Sequence, residues 1–152
     1  MTSEERREIR YQRRKAKRDE ARLKRSMACG DFDEVFSFRH LYLSAKKCCK
    51  GVYWKSSTQR YISNLIPNIS ETLLSLRNGT FIHRGFHEFY IMERGKKRHI
   101  RSVHISERTV QKCLCDYCIV PIYSASFIYD NSASLKHRGM DFALRRLSLI
   151  HI

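Results

Sequence analysis

The residues best suited to chemistry are the cations that surround Gly95. Glycine lets the backbone approach a ligand closely, and long cationic side chains hold phosphate oxygens through charge-assisted hydrogen bonds. The pattern predicts contact with phosphate groups, and the alternative is an exposed turn that is charged only for solubility. The cations are Arg94, Lys96, Lys97 and Arg98, followed by Arg101.

Two segments of alternating side chains flank this basic turn and would position it. Phe89 and Ile91 alternate with Tyr90 and Met92, and a second alternation runs through 99–103. Alternation on both sides of a glycine-containing turn predicts an antiparallel hairpin. We expect one of its faces to be partly buried.

A helix is predicted directly after the hairpin, from a cap at Ser106 to a stop at Pro121. Val110, Cys113, Leu114 and Tyr117 are spaced as one helical stripe, which indicates a face buried in the core. Further helices are predicted over 3–26, 32–47, 56–65, 68–76 and 140–147, with Pro67 as an interruption. The fold class is therefore α+β, mostly helical with one antiparallel β-hairpin.

The N-terminal segment 1–27 is the most biased part of the chain. Residues 4–25 hold eleven Lys or Arg and five Asp or Glu, with few apolar residues between them. We predict an exposed basic helix or arm, which either stays solvated or lies along a nucleic-acid backbone. The cations expected to contact nucleic acid are Arg13, Arg14, Lys17 and Arg18.

The net charge of +15 indicates a polyanionic partner, and nucleic acid is favoured over an acidic membrane surface. We expect no signal peptide, because the N-terminus is charged and lacks an apolar run. No apolar run reaches transmembrane length. A cytoplasmic location in bacteria is expected, with the six cysteines reduced.

No catalytic residue and no metal site are predicted in this chain. The spacing of Cys113, Cys115 and Cys118 raises the possibility of a zinc site. No second pair of cysteines has the spacing of zinc ligands, so buried thiols on a helix are the better interpretation. The seven histidines form no metal or catalytic motif. Carboxylates are sparse beyond the hairpin, and a two-metal phosphoryl-transfer centre would need a cluster of them.

The order of these motifs resembles the fingers of bacterial reverse transcriptases, with the prophage, group II intron and diversity-generating types most similar. The resemblance covers residues 70–147 well and residues 32–66 more weakly, as a fingers extension. It rests on residues 89–91 (F-Y-I), 95–98 (G-K-K-R), 107–111 (E-R-T-V-Q), Pro121, and 127–139 with Ala143 and Leu144 beyond.

The resemblance implies roles for individual residues. Lys97 and Arg98, with Arg101 as a helper, would touch the triphosphate of an incoming nucleotide. Lys136 and Arg138 would contact nucleic acid in the loop near the template, and Lys136 departs from the glycine-rich form of that loop. Template contacts are also expected from the tip cations Arg94 and Lys96 and from the cations of the arm.

The resemblance also implies partners and a cofactor. The partners would be an RNA template, a DNA primer and a deoxynucleoside triphosphate, and no membrane. In the full-length parent two Mg²⁺ ions would assist the chemistry, held by carboxylate motifs that follow the segment present here. Residues 28–147 would then form incomplete fingers of a right-hand polymerase fold, and we interpret 148–152 as a non-native tail.

Two other functions remain open at this stage. A stand-alone basic RNA-binding protein without catalysis would show the same charge pattern. A helical DNA-binding regulator, with 106–120 as its recognition helix, is disfavoured by the hairpin that precedes this helix and by the lack of a turn-helix partner.

Overall fold

A computed structural model describes residues 1–128 and 138–150. The chain divides into two compact units, 1–122 and 123–152. The described residues confirm the expected class, since they form mostly helices together with one two-stranded antiparallel sheet. The predicted contact residue Lys136 lies outside the described residues.

Helix α1 (Ser3–Ala28) confirms the predicted basic helix and has no buried residue. Its cap is Thr2 rather than Ser3. The Thr2 hydroxyl accepts from the backbone N–H of Glu5, and the Glu5 carboxylate accepts from that of Thr2, which completes a capping box. The helix ends at Cys29, before Gly30 at φ +83°.

The predicted single helix over 32–47 is wrong, because the chain turns between two helices. Asp31 caps the short α2 (Phe32–Val35) by accepting from the backbone N–H of Glu34 at 3.0 Å. The backbone then becomes extended at Ser37, which caps α3 (Phe38–Cys49). The turn buries Phe36, so tertiary packing overrides the helical spacing.

Pro67 does not interrupt a helix, contrary to the prediction. Helix α4 (Ser56–Ser63) ends at Asn64, and α5 (Leu65–Arg77) begins immediately, so Pro67 is its third residue. The first N–H groups of a helix have no acceptor inside it, and proline is therefore tolerated there. Leu74 lies on the outer side of this helix and is 59% exposed.

The hairpin consists of β1 (Phe86–Glu93) and β2 (Lys96–Val103). It confirms the predicted strands, and Phe86 pairs with Val103 at its open end while Glu93 pairs with Lys96 at its tip. The expected partial burial of one face is confirmed only in β2, where Ile100 and Ser102 are half-buried, whereas every residue of β1 is exposed. In the described residues this sheet has only two strands, so no further strand covers either face.

Helix α6 (Ile105–Leu114) starts two residues earlier than predicted, with His104 as cap in place of Ser106. It continues into a π-helical turn (Cys115–Ile119) and α7 (Val120–Tyr123), so the helical path passes Pro121 instead of stopping there. Pro121 has no N–H to donate to the Tyr117 carbonyl four residues earlier. The Cys29 thiol donates to that carbonyl instead, at 2.7 Å.

The core of the first unit lies between α3, α5 and α6. The predicted stripe on α6 is confirmed, with Cys113 fully buried and Val110, Leu114 and Tyr117 packed against the core. The buried apolar side chains from the other elements are Val35, Phe36, Leu41, Ala45, Cys49, Tyr61 and Ile69.

The described part of the second unit contains a 3₁₀ turn (Ser124–Ser126) and helix α8 (Met140–Ile150). Helix α8 extends beyond the predicted end at 147 into the segment interpreted as a tail. The Arg138 guanidinium lies 5.3 Å from the centroid of the Phe142 ring.

Candidate nucleic-acid interface

The tip of the hairpin is a two-residue turn formed by Arg94 and Gly95. Both have positive φ, +50° and +77°, as the tight turns that match strand twist require. Glycine takes this conformation without strain, whereas an arginine is held in it by the paired strands on either side. The turn therefore projects the Arg94 side chain from the end of the hairpin.

The strand register divides the hairpin side chains between two faces. Met92 pairs with Lys97 and Tyr90 with His99, whereas Ile91 pairs with Arg98 and Phe89 with Ile100. Directly paired residues point to the same side of a sheet, and neighbours along a strand point to opposite sides. We call the side with Phe86, Glu88, Tyr90, Met92, Lys97, His99, Arg101 and Val103 the Tyr90 face.

The Tyr90 face is a column of alternating aromatic and cationic groups. The Lys97 Nζ atom lies 4.3 Å from the centroid of the Tyr90 ring, within the range of a cation–π contact. The Tyr90 and His99 rings stack with centroids 4.8 Å apart. Further along, the Arg101 guanidinium lies 5.9 Å from the Phe86 ring.

This column is open to solvent, because Tyr90 is 61% exposed and Phe86 is 52% exposed. Glu88 is its only acidic residue and pairs with both Arg101, at 2.8 Å, and His99, at 2.9 Å. The Lys97 ammonium forms no ion pair with any described residue. Exposed rings interleaved with cations are the surface on which nucleic-acid bases stack.

The opposite face carries Arg98, which pairs with Glu93 at 2.9 Å. The structure thus does not bring together the three residues implied for the triphosphate. Lys97 and Arg101 share a face but stand four residues apart, about 13 Å along the strand. Arg98 points the other way. Their nucleotide-binding role stays a prediction.

Helix α1 carries a second cationic surface. Arg7, Arg10, Arg14, Lys17 and Arg18 line one side of it together with Tyr11. Among the described residues, none of these five cations has an ion-pair partner. This basic stripe includes three of the four predicted arm residues, and helical spacing sets the fourth, Arg13, at its edge.

Glu107 anchors the base of the hairpin, and it was not predicted from the sequence. Its side chain is only 3% exposed. It accepts hydrogen bonds from the His83 ring and from the backbone N–H of Arg84. Burial alone would raise the pKa of Glu107, but these two hydrogen bonds outweigh burial and lower it, so the carboxylate is ionised.

Asp116 has a similar structural role on the far side of α6. Both Lys47 and Lys112 contact its carboxylate at 2.7 Å. Burial raises the pKa of Asp116, but the hydrogen bonds from the two lysines outweigh burial and lower it. This acidic group is therefore fully engaged in holding α3 to the end of α6.

The cysteines are buried less uniformly than predicted. Cys113 is buried, whereas Cys115 is exposed and Cys118 is half-buried. Burial raises the pKa of the Cys113 thiol, which keeps it protonated. Within residues 1–128 and 138–150, no three His, Cys, Asp or Glu side chains are placed to hold a metal ion together.

A scan against protein-family models finds no match for this chain, and neither does a search of the curated proteins. Among residues 1–128 and 138–150, no helix combines the length and the apolar character that crossing a membrane requires.

Proposed function

We propose that this chain binds single-stranded RNA through the Tyr90 face of the hairpin. The observation that carries the proposal is the exposed column in which Lys97 lies over Tyr90 and Tyr90 stacks on His99. Bases stack on exposed rings, and cations beside the rings attract the phosphates that link the bases. The net charge of +15 supports the same class of partner.

The basic stripe of α1 adds a second area of electrostatic contact. Phosphate neutralisation by lysine and arginine depends on salt but not on sequence. We expect the stripe to contribute affinity without base selectivity. The hairpin would then supply stacking, which depends on unpaired bases, and the two surfaces together would favour single strands or strand junctions.

A direct test is a titration of fluorescently labelled single-stranded RNA with the wild-type chain and with Tyr90→Ala. The variant should bind about 5- to 150-fold more weakly, since stacking on one aromatic side chain contributes about 1–3 kcal/mol. Leu74→Ala, at an exposed apolar position on α5, is the control and should leave the affinity unchanged. Equal affinities for wild type and Tyr90→Ala would contradict the proposal.

The second candidate is a role as the fingers of an RNA-directed DNA polymerase. It is favoured by the motif order around the hairpin and in α6, where residues 107–111 follow the G-K-K-R turn. In this role the chain would hold the RNA template, while Mg²⁺-dependent chemistry on a DNA primer would take place on carboxylates outside this segment. The purified chain should therefore extend no primer.

Lys97→Ala separates the two candidates. If the chain acts through RNA binding alone, the variant weakens RNA affinity. If Lys97 instead positions a nucleotide, a polymerase that carries this segment should show a raised KM for deoxynucleoside triphosphate with little change in RNA affinity. Arg39→Ala, which removes one exposed cation on α3, controls for the loss of charge.

A further inference from the structure

A cavity of about 520 Å³ lies at the base of the hairpin, below the Tyr90 face. It is bounded by the loop before α4, the start of α4, the open end of the hairpin and the start of α6. Two residues of the Tyr90 face, Phe86 and Val103, line it, and so do His87 and Ser102 of the opposite face. The cavity therefore lies at the open end of the hairpin and adjoins the surface proposed to bind RNA.

Three cations line the cavity, namely Lys55, Arg84 and Arg108. Of the described residues that form its wall, none is acidic. Glu107, which holds the backbone of Arg84, is not part of the lining. The Arg108 guanidinium donates to the Ser102 hydroxyl at 3.1 Å, which fixes it while leaving other N–H groups to bind a ligand.

The electrostatics of neighbouring groups agree with a positive cavity. His104 also lines the wall, and its Nδ1 atom accepts from the backbone N–H of Ser106. Burial lowers the pKa of His104, and the nearby Arg84 charge lowers it further. This histidine is therefore neutral at neutral pH, and the positive potential comes from the lysine and the two arginines.

The start of α4 adds partial positive charge to the same wall. Ser57 and Thr58 line the cavity, and no side chain caps this helix. The first helical hydrogen bond runs from the Gln59 N–H to the Lys55 carbonyl. The preceding N–H groups thus have no partner inside the helix, and such groups favour an anion.

We propose that this cavity binds a phosphate group of the RNA strand that lies on the Tyr90 face, with Lys55, Arg84 and Arg108 around the phosphate oxygens. This inference rests on the proposed RNA binding and extends it to a defined phosphate position. The volume lies in the range of small-ligand sites, so a whole nucleotide can enter. The apolar wall of Val52, Phe86 and Ile105 faces its base or sugar.

The single tryptophan of the chain provides a built-in reporter for this site. Trp54 is 75% exposed, and the Nζ atom of Lys55 lies 5.3 Å from its ring centroid. Because Lys55 both lines the cavity and covers the ring, a phosphate that draws Lys55 inward should change the fluorescence of Trp54.

The experiment titrates the whole chain with a short oligouridylate, with uridine monophosphate and with inorganic phosphate, while Trp54 fluorescence is recorded. Arg84→Gln and Arg108→Gln should each weaken the oligouridylate response by about tenfold or more, since each removes a charge-assisted contact. Arg60→Gln is the matched control, because it removes an exposed arginine of α4 that is not part of the cavity lining. It should change the affinity by less than about twofold.

The outcomes separate this inference from the proposed function. If Arg84→Gln and Arg108→Gln behave like Arg60→Gln while Tyr90→Ala still weakens RNA binding, the cavity assignment is overturned and RNA binding stands. If uridine monophosphate or inorganic phosphate binds as tightly as the oligouridylate, the cavity is a site for free phosphate and not for a strand. If the wild-type chain binds no RNA, the proposed function itself fails.

Discussion

The hairpin and the helical core of the first unit use their charged residues in opposite ways. At the surface of the helical part, Lys47 and Lys112 converge on the single carboxylate of Asp116 and link α3 to the end of α6. In the hairpin, Lys97 lies on an exposed ring without an acidic partner among the described residues. The charges around Asp116 therefore serve stability, whereas Lys97 is left for a ligand even though other hairpin cations are paired. Substitutions should separate the two properties.

The largest effect is expected from Leu41→Ala. Leu41 is fully buried, and such truncations in a packed core cost about 2–5 kcal/mol. Urea denaturation would measure this loss in the free energy of unfolding. Leu43→Ala, at a position 38% exposed on the same helix, should cost much less. Similar losses in both variants would mean that α3 does not face the core as described.

Glu107→Gln tests the boundary between the two regions. The substitution removes a buried charge that accepts from Arg84 and His83, and we expect a loss of about 1–3 kcal/mol in the free energy of unfolding. Because Arg84 lines the cavity, RNA affinity should fall as well. His83→Ala, which leaves the Arg84 hydrogen bond in place, should affect RNA affinity less. A loss of stability without any loss of RNA affinity would mean that Glu107 stabilises the fold but does not support the cavity.

The pH dependence of stability should report Asp116. Its pKa is lower in the folded chain than in the unfolded chain, so the unfolded chain takes up a proton first as the pH falls. The stabilisation is complete above the ordinary pKa of an aspartate, about 3.9, and is lost as the pH falls further. Denaturation midpoints of wild type and Asp116→Asn should therefore converge at acid pH. A constant difference would contradict the ion-pair assignment.

The smallest effect is expected from Arg98→Ala. The ion pair of Arg98 with Glu93 is solvent-exposed, and pairs of this kind contribute about 0–1 kcal/mol. RNA affinity should also change little, since Arg98 points away from the Tyr90 face. Lys97→Ala is the matched comparison and should reduce the salt dependence of single-stranded RNA binding by about 0.7 in slope for one lost phosphate contact. Equal effects of Arg98→Ala and Lys97→Ala on RNA binding would mean that RNA does not prefer the Tyr90 face over the opposite face.

The sequence predicts those parts of the fold that local chemistry determines. Gly95 between two alternating segments is enough to predict the hairpin, and the spacing of Val110, Cys113, Leu114 and Tyr117 is enough to predict the core stripe. The break at Ser37 escapes prediction because it depends on the burial of Phe36, which is a property of the packed chain. The helical path past Pro121 escapes prediction for a similar reason. The Tyr117 carbonyl, which Pro121 cannot reach with an N–H, accepts instead from Cys29 at the end of α1.

The candidate site divides in the same way. Its cations can be read from the sequence, but their distribution between faces depends on a register that a one-residue slip would invert. The burial of Glu107 has only a weak local signal, a carboxylate in the first turn of a helix. The cavity at the hairpin base combines residues from three separate stretches of the chain, 52–58, 84–87 and 102–108, and no single motif marks it.

The hydrogen bond between the Cys29 thiol and the Tyr117 carbonyl has a consequence for how the protein opens. A second bond, from the Arg25 guanidinium to the Ile122 carbonyl, lies beside it at 2.9 Å. The two acceptors lie on either side of Pro121, so these bonds fix the C-terminal end of α1 against the irregular helical segment that follows α6. Amide hydrogens in the last turn of α1 and around Ile122 should then exchange with solvent in one cooperative event. Pro121→Ala would give the Tyr117 carbonyl a donor within its own helix and so weaken the bond from Cys29, while the bond from Arg25 stays; the two exchange rates should then become less closely coupled.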